Sequence, residues 1–226
     1  MSEKKLHLAI IPDGNRRWAR AKGLHPWEGH ARAVENFRTI SDWCRAHEQI
    51  TTLTIWCFST ENWKRDKKEI SKLMSLLENY VKKNRNDMNK QQTRFLHSGR
   101  KDRIPASLAK SFTEIEKETK HNVKFNLHLA LDYGGKDEIL RAIERMKNNE
   151  TLAQNDILRP YLDQPDLPDI DIIIRTSGEH RTSNFFLWQS TYAEWFFLEK
   201  HFPDFEITDI EQVLDEYVQR QRRFGG

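Results

Sequence analysis

Short β-branched runs that alternate with helical stripes constrain this chain more than any other feature. The runs are Leu6–Ile11, Thr51–Phe58, Thr93–His97, Val123–Leu131, Ile170–Ile174 and Ala193–Leu198. Between them, apolar residues recur at helical spacing: Ala33, Val34, Phe37, Ile40 and Cys44 over roughly 29–46, then Ile70, Leu73, Met74, Leu77, Tyr80 and Val81. Further helices are expected after Pro105, through Ile139, Leu140 and Ile143, and through Ile210, Val213, Leu214, Tyr217 and Val218. Strands separated by helices are joined by right-handed crossovers, which build a mostly parallel sheet with helices on both faces. The expected fold class is α/β: a single domain over residues 1–226 around a mostly parallel six-stranded sheet. The length suits one such domain, and no repeat or low-complexity linker divides it.

Ligands of open α/β sheets bind outside the carboxyl ends of the strands. Ile170–Ile174 runs directly into Arg175-Thr-Ser-Gly-Glu-His-Arg-Thr-Ser-Asn184. Paired arginines among hydroxyls and glycine suit a highly charged oxyanion, most simply a diphosphate. Leu6–Ile11 runs into Pro12-Asp-Gly-Asn-Arg-Arg-Trp-Ala-Arg20. Asp13-Gly14 permits a tight turn, and Asn15 can open a helix whose free N–H groups, with Arg16, Arg17 and Arg20, suit phosphate oxygens. Asp13 would repel that ligand unless a divalent cation bridges the two, and hard oxygen ligands favour Mg²⁺. Taken alone, this segment reads equally as a surface turn with a solvated basic helix. Ser59-Thr-Glu-Asn-Trp63 and Asp132-Tyr-Gly-Gly135 end two further strands. Four polar segments are thus expected at one edge of the sheet.

Composition narrows the partners. Thirty-seven basic against 34 acidic residues leave a formal charge of +3, too balanced for bulk attraction to nucleic acid. Cys44 and Cys57 show no metal-ligand spacing, and a reducing interior is expected. No apolar stretch approaches the roughly 20 residues that span a bilayer. The first five residues do not lead into a signal peptide of ordinary form, so a cytoplasmic protein is expected. His7, His47, His97, His121 and His201 have no ligand-like spacing and are expected at the surface or as satisfied core groups.

The Asp13-Gly-Asn-Arg-Arg-Trp18 and Arg175–Asn184 segments belong to a longer series with Gly29-His30, Phe58-Ser-Thr-Glu-Asn-Trp63, Tyr133-Gly-Gly135, Tyr192-Ala-Glu194 and Arg222-Arg-Phe-Gly-Gly226. In this order, over nearly the whole chain, the series resembles the cis-prenyltransferase family, whose bacterial members include undecaprenyl diphosphate synthases. The resemblance implies condensation of isopentenyl diphosphate with an allylic prenyl diphosphate, adding a five-carbon unit in the cis configuration. It implies Asp13 and Asn62 as catalytic residues, with Mg²⁺ held by Asp13 and Glu194. Gly14, Asn15, Arg16, Arg17, Trp18 and His30 would surround the allylic diphosphate. Arg175, Arg181, Thr182 and Ser183 would hold isopentenyl diphosphate, with Ser59, Thr60, Glu61, Trp63 and Arg65 as further substrate contacts. Arg223 and Gly225 lie in a tail that in relatives reaches an active site across a dimer, so a homodimer is expected. The resemblance also implies a hydrophobic tunnel between helices and sheet, and through its product a peripheral membrane contact.

Some positions depart from the family pattern. Pro26 stands where many relatives carry arginine, and Arg16 replaces a common glycine. Asp132 and Lys136 stand where asparagine and arginine are usual. None removes the implied metal ligands, so these changes bear on the substrate rather than the chemistry. Family usage makes Asn62 the proton acceptor, yet a neutral amide is a weak base; a diphosphate oxygen, with Asn62 or Ser59 positioning it, accepts a proton more easily. Phe125, Trp56 and Phe112 are candidate blocks at the tunnel floor, although ordinary core is the plainer reading of the last two. A short to medium product is favoured, with an undecaprenyl-length product as the alternative. A non-catalytic partner subunit would lack first-motif residues that are present here. A nucleic-acid binder would not place acidic residues in its cleft. A trans-type synthase would carry Asp-Asp-x-x-Asp, and this chain has none.

Overall fold

The computed structural model describes residues 4–147 and 158–220. Six strands, β1 (Leu6–Ile11), β2 (Ile50–Ser59), β3 (Thr93–Ser98), β4 (Phe125–Tyr133), β5 (Ile172–Thr176) and β6 (Glu194–Leu198), form one sheet. Their order is β3-β4-β2-β1-β5-β6 and each neighbouring pair is parallel. The helices are α1 (Asn15–Ala21), α2 (Pro26–Ala46), α3 (Lys67–Lys90), α4 (Ala106–Thr119), α5 (Gly135–Lys147) and α6 (Ile207–Gln219). This is the single-domain parallel α/β fold that the alternation predicts.

Helix starts follow local chemistry. Pro26 occupies the first turn of α2, where its missing N–H is not needed, and Glu28 accepts from His25 N at 2.8 Å. Asp66 caps α3 by accepting from Lys68 N and Glu69 N at 2.9 and 3.1 Å. Most stripe positions bury, but Leu140 of α5 and Val218 of α6, expected on their apolar stripes, are 63 % and 79 % exposed. Phe37 and Ile40 of α2, Leu73 and Leu77 of α3, Phe112 of α4 and Ile210 of α6 share one core with Phe125, Leu127 and Leu129 of β4. Ala9, Ile11, Tyr133, Ile173, Phe185 and Phe186 form a smaller core on the other face. A buried polar string crosses that second face. His7 Nε2 meets Thr54 Oγ1 at 2.6 Å, Thr54 Oγ1 meets His128 Nδ1 at 2.9 Å, and His128 Nε2 meets Ser98 Oγ at 2.8 Å.

Two strands are displaced by two residues from the sequence expectation. β4 begins at Phe125 because Val123 is 89 % exposed, and it continues through Asp132 and Tyr133, narrowing the anticipated turn. β5 runs two residues later than Ile170–Ile174, so Arg175 lies within the strand rather than after it. Arg175 pairs with Ile11, and each flanking ladder continues outward to opposite edges of the sheet. The chain leaves β1 toward β2 and leaves β5 toward β6, in opposite directions. Such a switch point opens a crevice between neighbouring loops.

Candidate active site

A cavity of about 810 Å³ opens at this crevice, with a polar mouth and an apolar depth. The mouth gathers Asp13, Gly14, Asn15, Arg16 and Arg17 from the first loop, Ser59, Glu61, Asn62 and Arg65 after β2, His30 of α2, and Arg175, Arg181 and Ser183 from the β5 side. Ala33, Val34 and Phe37 of α2, Ile55 and Phe58 of β2, and Leu73 and Leu77 of α3 line the depth. Separate strands thus deliver cations to the edge of one greasy pocket.

Arg175 ties the two sides of the mouth together. It is 3 % exposed, and its Nε and Nη2 donate to Asp13 Oδ2 at 2.9 and 2.7 Å. Its Nη1 donates to Ser183 Oγ at 2.8 Å and to the Arg181 carbonyl. A buried guanidinium needs this full set of acceptors to offset its desolvation. Both contacts to Asp13 fall on Oδ2. Among the described residues, Oδ1 accepts no hydrogen bond.

Glu69 is buried beneath the first loop, and sequence reading missed it as part of the site because it sits inside an ordinary helical stripe. Its carboxylate accepts from His30 Nε2 at 3.1 Å and faces Arg16 Nε at 3.5 Å and Arg65 Nη1 at 3.7 Å. The His30 hydrogen bond, helped by Arg16 and Arg65, holds the Glu69 carboxyl below its ordinary range. Glu179 was also missed. It bridges the two sides by accepting from Arg17 Nη2 at 2.8 Å and from Arg181.

Asn62 presents one end of its amide. Its Oδ1 accepts from Ser59 N at 3.1 Å, so the amide's donor side is the part left for a ligand. Asn184 Nδ2 donates to Glu61 at 3.4 Å and Asn184 Oδ1 accepts from Lys136 N at 2.8 Å, which joins the β5 loop to the Gly134–Gly135 turn. A Cβ on Gly134 would stand 2.8 Å from both Asn184 Nδ2 and Thr60 Oγ1, so the close approach demands glycine.

Other expected residues sit outside the cavity wall. Trp18 stacks beneath Lys22, whose Nζ lies 4.9 Å from the ring, and Thr182 is exposed. Trp63 donates from Nε1 to Asp132 Oδ1 at 2.8 Å, and Arg103 also pairs with Asp132. The aspartate in place of the family's asparagine therefore anchors one cation, Arg103, beside the Trp63 indole. Of the three floor candidates, Trp56 borders the cavity but packs its ring against Phe185 in the smaller core of the other sheet face, whereas Phe112 and Phe125 lie in the packed core away from the cavity. A bulge between Trp56 and Phe58 breaks the alternation, so Trp56, Cys57 and Phe58 all border the cavity. Burial pushes the Cys57 thiol up to about 12, which disfavours its thiolate form.

Glu194 requires a correction. Within one chain it is not across the cleft from Asp13. It opens β6 opposite Ile172, roughly 10 Å of strand rise away from Arg175. There it pairs with Arg220 at 2.9 Å. The reason is positional: Tyr192-Ala-Glu194 precedes its apolar run, so the carboxylate falls at the amino end of the strand. Arg223 and Gly225 lie outside the described residues. Among those described, no three His, Cys, Asp or Glu side chains cluster to hold a metal by themselves. No helix among them is long and apolar enough to cross a membrane.

Comparison with known proteins agrees with this architecture. Residues 11–225 match the family profile described as "Putative undecaprenyl diphosphate synthase". An isoprenyl transferase of Fusobacterium nucleatum is 41 % identical over 222 residues, covering 97 % of this chain and 95 % of the relative. A tritrans,polycis-undecaprenyl-diphosphate synthase (geranylgeranyl-diphosphate specific) of Thermococcus kodakarensis is also 41 % identical, covering 97 % of this chain and 86 % of its own length. The crystal structure of lavandulyl diphosphate synthase from Lavandula x intermedia, in complex with dimethylallyl diphosphate, superposes with a TM-score of 0.90 at 33 % identity, covering 97 % and 98 % of the two chains. With the fold, the polar mouth and the apolar depth in place, this chain belongs to the cis-prenyltransferase family typified by undecaprenyl diphosphate synthases.

Proposed function

We propose that the protein condenses isopentenyl diphosphate with an allylic prenyl diphosphate, extending the chain by a cis-configured five-carbon unit. The observation that carries this reading is the contact of Asp13 with Arg175 at the mouth of an apolar cavity. Diphosphates are held where the two loops meet, and hydrocarbon enters the depth. The Gly14–Arg17 segment and His30 face the allylic diphosphate; Arg175, Arg181 and Ser183 face isopentenyl diphosphate. As the allylic carbon–oxygen bond breaks, charge grows on the departing diphosphate, and cations already fixed at the mouth stabilise it more than the ground state. The new bond joins the allylic carbon to the isopentenyl double bond, and the proton then lost passes to a diphosphate oxygen. Asn62, with its carbonyl engaged by Ser59, orients that oxygen as a donor.

Magnesium fits the donor set. Mg²⁺ is usually held by one or two carboxylates together with substrate phosphates and water, rather than by an all-protein cage. Asp13 Oδ1 is the free carboxylate oxygen that such a site needs. When bound, the ion would neutralise charge on the leaving diphosphate. Glu194 of the same chain is left out of the set.

A short to medium product is part of the proposal, because Phe37, Leu73 and Leu77 surround the apolar depth. An undecaprenyl-length product is the alternative. A homodimer is proposed on the family tail Arg223-Phe-Gly225, and a cytoplasmic setting with membrane contact through the product completes the reading. Purified protein incubated with magnesium, isopentenyl diphosphate and allylic primers of increasing length tests it. Extraction should yield cis-prenyl diphosphates of fewer units than undecaprenyl. Absence of product with every primer would refute the activity, and undecaprenyl-length product would refute the length alone.

A further inference from the structure

Ser177 follows β5 with φ of 80°, a backbone conformation that favours glycine. Its carbonyl accepts from Arg17 Nη2 at 3.1 Å, while its hydroxyl shares a 2.6 Å hydrogen bond with His201 Nδ1. Both side chains close on Gly14. A Cβ there would stand 2.5 Å from Ser177 Oγ and 2.6 Å from His201 Nδ1. The adjoining backbone grips the preceding residue as well, since Asp13 O accepts from Thr176 Oγ1 at 2.8 Å and from Phe202 N at 3.0 Å. Ser177 N donates to Lys200 O at 2.9 Å, which joins the His201 segment to the end of β5. Ser177 is 5 % exposed, so water competes little for its hydroxyl.

We infer that Ser177 and His201 form a positioning pair for the Asp13–Gly14 turn, fixing where that turn meets the allylic diphosphate. The inference rests on the proposed reading that this turn receives that diphosphate. Neither side chain borders the cavity, so the pair acts through Gly14 and Arg17 rather than on reacting atoms. Donors fixed in advance need no ordering when the ligand arrives, and that saving appears as affinity. The β5-side diphosphate contacts depend on Arg175, Arg181 and Ser183, which the pair does not touch. Loss of the pair therefore falls chiefly on the allylic substrate and reaches the β5 side only at second hand, through Asp13 to Arg175 and through Arg17 and Glu179 to Arg181.

The test uses the full chain carrying Ser177→Ala, His201→Ala, both together, His201→Asn, or Ser177→Gly. Steady-state kinetics with magnesium and both substrates are combined with calorimetric binding of the allylic diphosphate and thermal melts. Each alanine variant is expected to raise allylic KM and Kd about tenfold and leave isopentenyl diphosphate KM within about twofold, and the double variant to be no worse than either single one. His201→Asn, which can return a hydrogen bond to Ser177 Oγ, is expected to recover affinity to within about threefold of wild type. Ser177→Gly separates geometry from strain: it is expected to melt above Ser177→Ala yet bind the allylic diphosphate as weakly. Equal losses for both substrates, additive single effects, or unchanged KM and Kd in active protein would overturn the inference while leaving the proposed function in place. Wild-type protein that neither binds allylic diphosphate nor forms product would overturn the proposed function and this inference together.

Discussion

Arg175 donates twice to one oxygen of Asp13, at 2.9 and 2.7 Å, and leaves the other oxygen unbonded among the described residues. A residue from the end of β5 therefore orients the carboxylate of the loop after β1. Asp13→Asn keeps an acceptor for Arg175 but removes the charge a cation requires. Turnover at saturating substrates and magnesium is expected to fall by about 100-fold or more, a loss of roughly 2.7 kcal/mol in transition-state stabilisation. The melting temperature is expected to move by no more than about 4 °C, the shift that roughly 1 kcal/mol produces in a chain of this size. Label incorporation and a thermal melt on the same preparation check both parts. Full turnover would remove Asp13 from the chemistry.

Gly14 carries φ of 95° and has no room for a methyl group. Gly14→Ala is expected to cost about 1–3 kcal/mol from its backbone alone, with the contact against Ser177 and His201 added to it. The prediction is a lowered denaturation midpoint together with weaker allylic diphosphate use. Gly23 also has positive φ, at 68°, but open space around it. Gly23→Ala, measured beside it by urea titration, is expected to cost less and to leave turnover unchanged.

Burial lowers His7 and His97 to about 4, and depresses His128 as well. Unfolded histidine titrates near 6.5, so between pH 6.5 and 4 the unfolded chain binds protons that the folded chain refuses. Stability contributed by these groups is complete above about pH 6.5 and declines as the pH falls, by up to roughly 1.4 kcal/mol per pH unit for each histidine. Glu138, whose carboxyl is raised by burial, works in the opposite direction. Urea denaturation at a series of pH values should show the loss, and His97→Asn should flatten its slope. An unchanged slope in that variant would remove His97 as a source.

Leu77 borders the apolar depth, whereas Phe112 is fully buried away from it. Leu77→Ala is expected to lengthen the product by at least one five-carbon unit, at about 2–5 kcal/mol of stability. Phe112→Ala is expected to destabilise by a similar amount, about 3–5 kcal/mol, without changing product length. Chromatography of the extracted products distinguishes the two. A longer product from Phe112→Ala would relocate the floor.

Strand and helix periodicity made the sheet legible, because β1 is buried at all six positions and α3 buries an apolar stripe from Ile70 to Val81. Mouth residues were legible for a second reason: polar clusters that follow apolar runs must emerge at one rim of a parallel sheet. Glu194, suggested for the metal by the family resemblance, is placed away from Asp13 within one chain because its motif precedes its strand. Glu69 and His201 carry no signal in one dimension, and Glu179, inside the Arg175–Asn184 segment, carries none of its contact with Arg17. Each meets a residue 24 or more positions away, and no local pattern records which side chains a crossover brings together. The boundary of β5 slipped by two residues because Ile170 N donates to loop backbone at Gln189, and the regular ladders with β1 and β6 begin only at Ile172.

The polar string His7–Thr54–His128–Ser98 has a consequence for the far rim of the sheet. Its members belong to four adjacent strands and each must face the same side, so sliding any strand by one residue would break the string. The strand ends that carry Asp13, Ser59 and Tyr133 are therefore kept level by a tether in the dry interior. Alignment of the catalytic rim is an inherited property of the sheet's middle, and damage to a distant threonine or histidine would reach the chemistry as misregistration.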